Sequence, residues 1–178
     1  LDKDAQKLLV SFYTMRNILR DGGAQDIAAL QQLNYTTGSG GYTNSTTPSI
    51  WPSKGVITSP YGTRVDPVTG AASAFHEGVD IADDYGTPIV ATAAGTVTFA
   101  GYTEGGYGNL VEIDHGNGFV TRYGHNSAVL VTPGMTVKQG QVIALMGSTG
   151  KSTGAHVHYE VRINGSAVDP MVFLPISN

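Results

Sequence analysis

The amino-acid sequence predicts a mostly β domain built on an antiparallel sheet, with a short helical segment ahead of it. Two patterns carry that prediction. From Trp51 onward, short apolar runs alternate with turn signals, and most of the chain's 24 glycines fall between such runs. No long helical pattern separates the runs, which argues against parallel strands joined by crossover helices.

Taken in order, the chain begins with helical periodicity. Leu8, Phe12, Met15 and Leu19 recur at three- and four-residue steps, and Gly22-Gly23 ends that stripe. A second short helix is expected from Gln25 to Leu33, with Ile27, Leu30 and Leu33 on one side. Asn34 to Ser49 is rich in Thr, Ser, Gly and Asn without periodicity and reads as a linker or exposed loop. Residues 1–47 are therefore expected to form a helical segment and flexible linker, and residues 48–178 the main domain. Within that domain Gly95 to Gly101 and Asn109 to His115 read as strands. Gly116-Asn117-Gly118 marks a hairpin turn, from which Phe119 to Tyr123 returns antiparallel. Val142 to Met146 has the character of a buried strand, and His156 to Ile163 runs into the turn signal Asn164-Gly165.

Composition narrows the function classes. With 40% hydrophobic and only 13% charged residues, the 178-residue chain is globular and long enough for one sizeable core plus an appendage. The net charge is −4 and the ten Lys and Arg residues are scattered, which speaks against a nucleic-acid partner. There is no cysteine, so disulfides and thiolate metal sites are excluded. The longest apolar run, Val142 to Met146, is far too short to span a bilayer, so no transmembrane segment is expected in this chain. Leu1 is no initiator methionine and Asp2-Lys3-Asp4 no signal-peptide start. The expectation is a piece or mature form of a longer precursor, which could itself carry a membrane anchor.

The chemistry concentrates in Thr153 to Val161. If this is a strand, Val157, Tyr159 and Val161 share one face, while His156, His158 and Glu160 share the other. The two imidazoles then stand about 6.6–6.8 Å apart along one face, so one can bind a metal while its neighbour works beside it. His76-Glu77-Gly78-Val79-Asp80 supplies two further donors. Hydrolytic zinc sites keep three His, Asp or Glu ligands and an open position, and His76, Asp80 and either His156 or His158 would complete such a set. In an unbroken strand, positions four apart lie about 13 Å apart, so the chain must turn between His76 and Asp80, and Gly78 makes a turn cheap. A rival parse takes His76 to Asp80 as a helical zinc motif with Glu77 as base. The poor helix formers Gly78, Val79 and Ile81 argue against it.

Three other features look like sites. Gly150-Lys151-Ser152 resembles the end of a phosphate-binding loop, but Leu145 stands where that motif needs glycine, and a strand follows. Lys151 is expected to be a solvated loop lysine. His115 sits beside a turn and is expected to be structural. His125, just past a strand end, would by itself read as a surface histidine.

Several separated stretches, in order, resemble the lysostaphin-like, or LytM-type, zinc endopeptidases that cut peptidoglycan peptides. They are Ile57-Thr58-Ser59-Pro60-Tyr61-Gly62, Phe75-His76-Glu77-Gly78-Val79-Asp80-Ile81, Gly86-Thr87-Pro88, Tyr123-Gly124-His125, Gly140-Gln141, Ser152 to His158 and Val168-Asp169-Pro170. The resemblance runs from about Pro48 to Leu174. It implies a twisted antiparallel sheet with the metal in a groove. It further implies one zinc ion per chain held by His76, Asp80 and His158, with His125 and His156 as the catalytic pair. Ala155 and Asn126 depart from the residues, Pro and Leu, that the family often carries there.

The expected activity is hydrolysis of peptidoglycan stem or bridge peptides outside the cytoplasm. Arg64 to Gly70 looks like the Gram-negative envelope members, which favours D,D-endopeptidase action on diaminopimelate cross-links over cleavage of glycine bridges. The alternative is a non-enzymatic LytM-like module that activates another wall hydrolase. A third reading has residues 1–47 occupy the groove and keep the enzyme latent, although packing beside the sheet or forming the end of a stalk is the commoner fate of such a segment.

Overall fold

The computed structural model describes residues 42–65, 68–70 and 74–176. The predicted helices, and residues 34–41 of the predicted linker, lie outside the described residues. Among the described residues thirteen strands follow one another: β1 (Val56–Ser59), β2 (Gly62–Arg64), β3 (Ala74–His76), β4 (Val79–Ala82), β5 (Pro88–Val90), β6 (Gly95–Thr103) and β7 (Gly108–Gly116). They continue with β8 (Phe119–Asn126), β9 (Ala128–Val129), β10 (Thr136–Val137), β11 (Val142–Leu145), β12 (His156–Ile163) and β13 (Ser166–Val168). One turn of 3₁₀ helix, Pro170–Val172, comes last.

The main sheet has the order β1-β4-β12-β8-β7-β6-β10, with β13 paired to β12. Smaller sheets are β5-β11-β9 and the hairpin β2-β3. All strand pairs are antiparallel. The mostly β, antiparallel expectation holds, and β12 lies near the middle of the main sheet with β4 and β8 on its flanks.

One face of the sheet makes the core. Val157, Tyr159 and Val161 of β12 are fully buried against Val79, Ile81, Val111, Ile113 and Tyr123. The two core tyrosine hydroxyls require partners, because an unbonded buried hydroxyl costs a few kcal/mol, about 1–3 on mutational scales. Tyr159 and Tyr123 both bond Thr92 Oγ1 (2.8 and 3.0 Å), and Tyr123 also bonds Thr121 Oγ1 at 2.8 Å. His115 ends the chain of bonds: Nε2 lies 2.7 Å from Thr121 Oγ1, and Nδ1–H donates to the Ala94 carbonyl at 2.8 Å. Burial pushes its pKa down. His115 is thus a satisfied core histidine.

The other face of β12 is also buried. His158 and Glu160 are 8% and 1% exposed, so the polar stripe is no solvent-facing surface. Tyr107 and the β2-β3 hairpin residue His76 cover it, with ring centroids 5.7 and 4.8 Å from His158.

The chain does change course between His76 and Asp80, leaving the pairing with β2 and joining the pairing with β12. Gly78 serves this by close approach: a Cβ there would fall on the Tyr159 carbonyl oxygen. Its φ is not left-handed, so room, and not conformational freedom, is what glycine supplies.

Thr43 forms a bridge with Gln139, whose buried amide nitrogen also shares its two hydrogens among Thr47 O, Ser49 Oγ and Thr92 O, 3.2, 3.0 and 3.0 Å away. The described end of the Thr- and Ser-rich stretch is thereby tied to the β domain.

Candidate active site

Register decides which side chains meet. In β12 and β4, His158 pairs directly with Asp80, whereas His156 pairs with Ala82. His76 arrives from β3. His76 Nε2, Asp80 Oδ1 and His158 Nδ1 converge, 3.1, 3.0 and 3.0 Å from one another. The three residues are 4%, 5% and 8% exposed. Tetrahedral zinc with bonds of about 2.0–2.1 Å would hold such atoms about 3.3 Å apart. Among the described residues this is the one group that could hold a metal ion. Two imidazole nitrogens and a carboxylate are a donor set suited to it.

Each imidazole is oriented by its other nitrogen. His76 Nδ1–H donates to the Pro60 carbonyl at 2.8 Å, which leaves Nε2 with its lone pair facing the cluster. His158 Nε2 lies 2.9 Å from Glu160 Oε1. Burial opposes the charge on Asp80, but the His158 and His76 imidazoles beside it outweigh burial and hold the carboxyl far below the usual range. Burial likewise pushes His158 down, yet the Asp80 and Glu160 carboxylates raise it to about 9.

His125 and His156 stand beside this cluster, their ring centroids 4.6 Å apart. His125 Nδ1–H donates to the Thr149 carbonyl at 2.7 Å, and His156 Nδ1–H to the Gly154 carbonyl at 2.8 Å. A carbonyl only accepts, so both rings keep an unprotonated Nε2 when neutral. His156 Nε2 lies 3.7 Å from Asp80 Oδ1. Burial pushes His125 down to about 4, and the nearby His156 and His158 add to that shift. His125 also has a left-handed backbone, φ 65°, rare for a residue with a Cβ. Its backbone N–H donates to Tyr107 O at 2.6 Å, which holds that conformation.

All five histidine and aspartate positions singled out from the sequence come together, and His125 is 7% exposed, not a surface residue. Glu77 lies apart: its carboxylate accepts from Arg162 Nη2 at 2.7 Å and its side chain is half-exposed. The helical parse fails here, because Val79–Ala82 is a strand. Lys151 is exposed in a loop whose backbone bonds Gly106. Asn126 is fully buried and its amide ties β7 to β8 through Asn109 O and Tyr123 O, so it lines no groove.

Sequence reasoning missed Glu160. Its carboxylate accepts from Tyr107 Oη (2.7 Å) and Arg162 Nε (2.8 Å) besides His158. Burial would raise its pKa, but His158 first, then Tyr107 and Arg162, hold it down at about 2. The available signal was its position two residues past His158 on the same strand face.

Comparison with known proteins is decisive on ancestry. The sequence pattern of Peptidase family M23 matches residues 74–170, more than half of the chain. The chain belongs to peptidase family M23. Among curated M23-like relatives, the DD-carboxypeptidase/endopeptidase Mpg of Neisseria meningitidis is 49% identical over 67% of this chain. The murein hydrolase activator NlpD of Escherichia coli is 40% identical over 70% of it. The match spans only 27% and 31% of those two proteins. The catalytic domain of lysostaphin from Staphylococcus simulans superposes with a TM-score of 0.61 at 34% identity, covering 66% of this chain and 90% of that one. The lysostaphin-like resemblance of the sequence is thereby shown. Among the described residues no helix is long and apolar enough to cross a membrane.

Proposed function

We propose that this chain is a zinc-dependent endopeptidase acting on peptidoglycan peptides outside the cytoplasm, with D,D-endopeptidase action on diaminopimelate cross-links as the favoured activity. His76, Asp80 and His158 hold the ion, and His125 and His156 are the catalytic pair. The observation that carries this reading is the convergence of three donor atoms within about 3 Å, beside two imidazoles whose Nδ1–H groups are tied to backbone carbonyls. The likeness to Mpg, a DD-carboxypeptidase/endopeptidase, supports D,D-endopeptidase action, and the likeness to a murein hydrolase activator supports a wall substrate.

Bound there, zinc supplies Lewis acidity that polarises a peptide carbonyl and activates a water. The chain's own residues do the proton work. A free Nε2 on His125 or His156 accepts a proton from the attacking water, and an imidazolium of the pair returns one to the leaving amine. The Thr149 and Gly154 carbonyls keep both rings turned so that Nε2 is the working nitrogen.

The likeness to NlpD favours a second reading, a module that activates another wall hydrolase. The two readings part in one experiment. Zinc content is measured on purified protein, which is then incubated with isolated walls of diaminopimelate type and of glycine-bridged type. Release of cross-link peptides from the first, by protein carrying about one zinc per chain, is expected. Zinc-loaded protein that releases nothing alone but speeds a second hydrolase would establish the activator. Digestion confined to glycine-bridged walls would replace the favoured bond.

Glu77 gives a direct check on the β arrangement. Glu77→Gln keeps an acceptor for Arg162 and weakens one half-exposed ion pair, worth less than about 1 kcal/mol. Zinc retention and activity within a few-fold of wild type are expected, on the order of 1 kcal/mol of barrier. A hundredfold loss with zinc still bound would make Glu77 catalytic.

A further inference from the structure

We propose that Glu160 is a positioning residue for the metal centre: its carboxylate fixes the His158 imidazole so that Nδ1, unprotonated, faces His76 and Asp80. The inference rests on the reading of His158 as a ligand and adds to it a residue outside the ligand set and the catalytic pair.

An imidazole in a buried site can present either nitrogen and carry its proton on either one. Glu160 removes both freedoms. It follows His158 by two positions on β12, so the two side chains share a face. Its Oε1 lies 2.9 Å from His158 Nε2 and takes a second bond from Tyr107 Oη at 2.7 Å. Its Oε2 takes Arg162 Nε at 2.8 Å, with Arg122 Nη1 at 3.9 Å. A metal at the cluster takes the place of any proton on Nδ1, and an ionised Glu160 only accepts, so the remaining proton of His158 would sit on Nε2. Nδ1 is then the nitrogen left for a metal.

The carboxylate itself cannot turn away. Arg162 is held by Glu77 on its far side, and Arg122 by Glu112 at 2.6 Å. The ladder follows strand register, since Glu160 pairs with Arg122 across β12 and β8, and Arg122 with Glu112 across β8 and β7. Every partner of Glu160 is a donor. That makes Gln an informative substitution. An amide oxygen turned to Arg162 puts the NH2 against His158 Nε2, which must then accept, moving the proton to Nδ1. With the oxygen turned to His158, the NH2 meets the Arg162 donor instead.

A counter-ion for two arginines would explain the same contacts without any bearing on the metal, and the test separates the two roles. Zinc affinity is measured by competition with a chromogenic chelator for wild type, Glu160→Gln and Glu112→Gln. Glu112→Gln makes the same chemical change on the same ladder but touches no histidine of the site. Histidine tautomers are read by long-range ¹H–¹⁵N correlation on the zinc-loaded proteins. Glu160→Gln is expected to weaken zinc binding about 10–100-fold and to lose or shift the His158 Nε2–H signature, while Glu112→Gln lowers thermal stability and binds zinc as wild type does. Equal affinity in Glu160→Gln and wild type overturns the inference, and so does an equal loss in both variants. Should Glu160→Gln fail to fold, Glu160→Asp carries the test, because it keeps the charge for the arginines and withdraws the oxygens by one methylene. A several-fold loss is expected there, and wild-type affinity overturns the inference. A wild-type protein that binds no zinc overturns the metal reading and this inference together. A wild type that binds it, beside a Glu160 variant that binds equally well, overturns this inference alone.

Discussion

Alanine at Asp80 or at His158 is expected to strip the protein of most of its zinc. Each change removes one of three donors, and neither loss can be made good by a neighbour. Glu160, the nearest other buried carboxylate, has both oxygens engaged by His158, Tyr107 and Arg162. His156 Nε2 reaches Asp80 Oδ1 only at 3.7 Å, and its other nitrogen is tied to Gly154. Losing Asp80 also leaves two buried imidazoles with no anion between them, and removing one partner of a buried ion pair typically costs about 3–5 kcal/mol. Asp80→Asn, which keeps the shape, separates metal loss from unfolding. Zinc content after dialysis, with circular dichroism to follow the fold, is the measurement. Full zinc retention in both alanine variants would sink the ligand assignment.

His125→Ala and His156→Ala are expected to do the opposite, keeping the ion and losing hydrolysis. Neither ring is among the three converging donors, so the metal has no reason to leave. General acid–base catalysis by a placed side chain is worth about 10²–10⁴-fold, roughly 3–5 kcal/mol of barrier. The loss should therefore be deep, at unchanged zinc content. Near-normal turnover in either variant identifies that histidine as a bystander.

How much of this was legible in the sequence depends on the range of the interaction. The alternation in His156 to Val161 is local, and it correctly separated the core residues Val157, Tyr159 and Val161 from the histidine face. Residue spacing also required a change of course between His76 and Asp80. The reason for glycine at position 78 was not legible, because the Tyr159 carbonyl that excludes a Cβ is some eighty residues further along the chain. Spacing left His156 and His158 equivalent, and only the family resemblance favoured His158. The pairing of His158 with Asp80 supplies an independent physical reason for the same preference. The ladder through Glu112, Arg122, Glu160 and Arg162 depends on the register of β7, β8 and β12, which no local pattern encodes. His125 looked like a surface residue for the same reason, since Tyr107 and Thr149, which bury and aim it, come from other parts of the chain.

The left-handed backbone of His125 sets activity and robustness against each other. Such a conformation costs a residue with a Cβ on the order of 1–3 kcal/mol, and glycine, which has none, adopts it freely. The imidazole is thus kept at a position where its own backbone would rather have something else. His125→Gly is expected to be inactive and yet to melt close to wild type, because the relieved backbone offsets the side-chain contacts it loses, as heating with circular dichroism detection would show. For a lineage under no pressure to cut bonds, a step out of catalysis then costs the fold little. The same sheet, chemically silent, lies one substitution away.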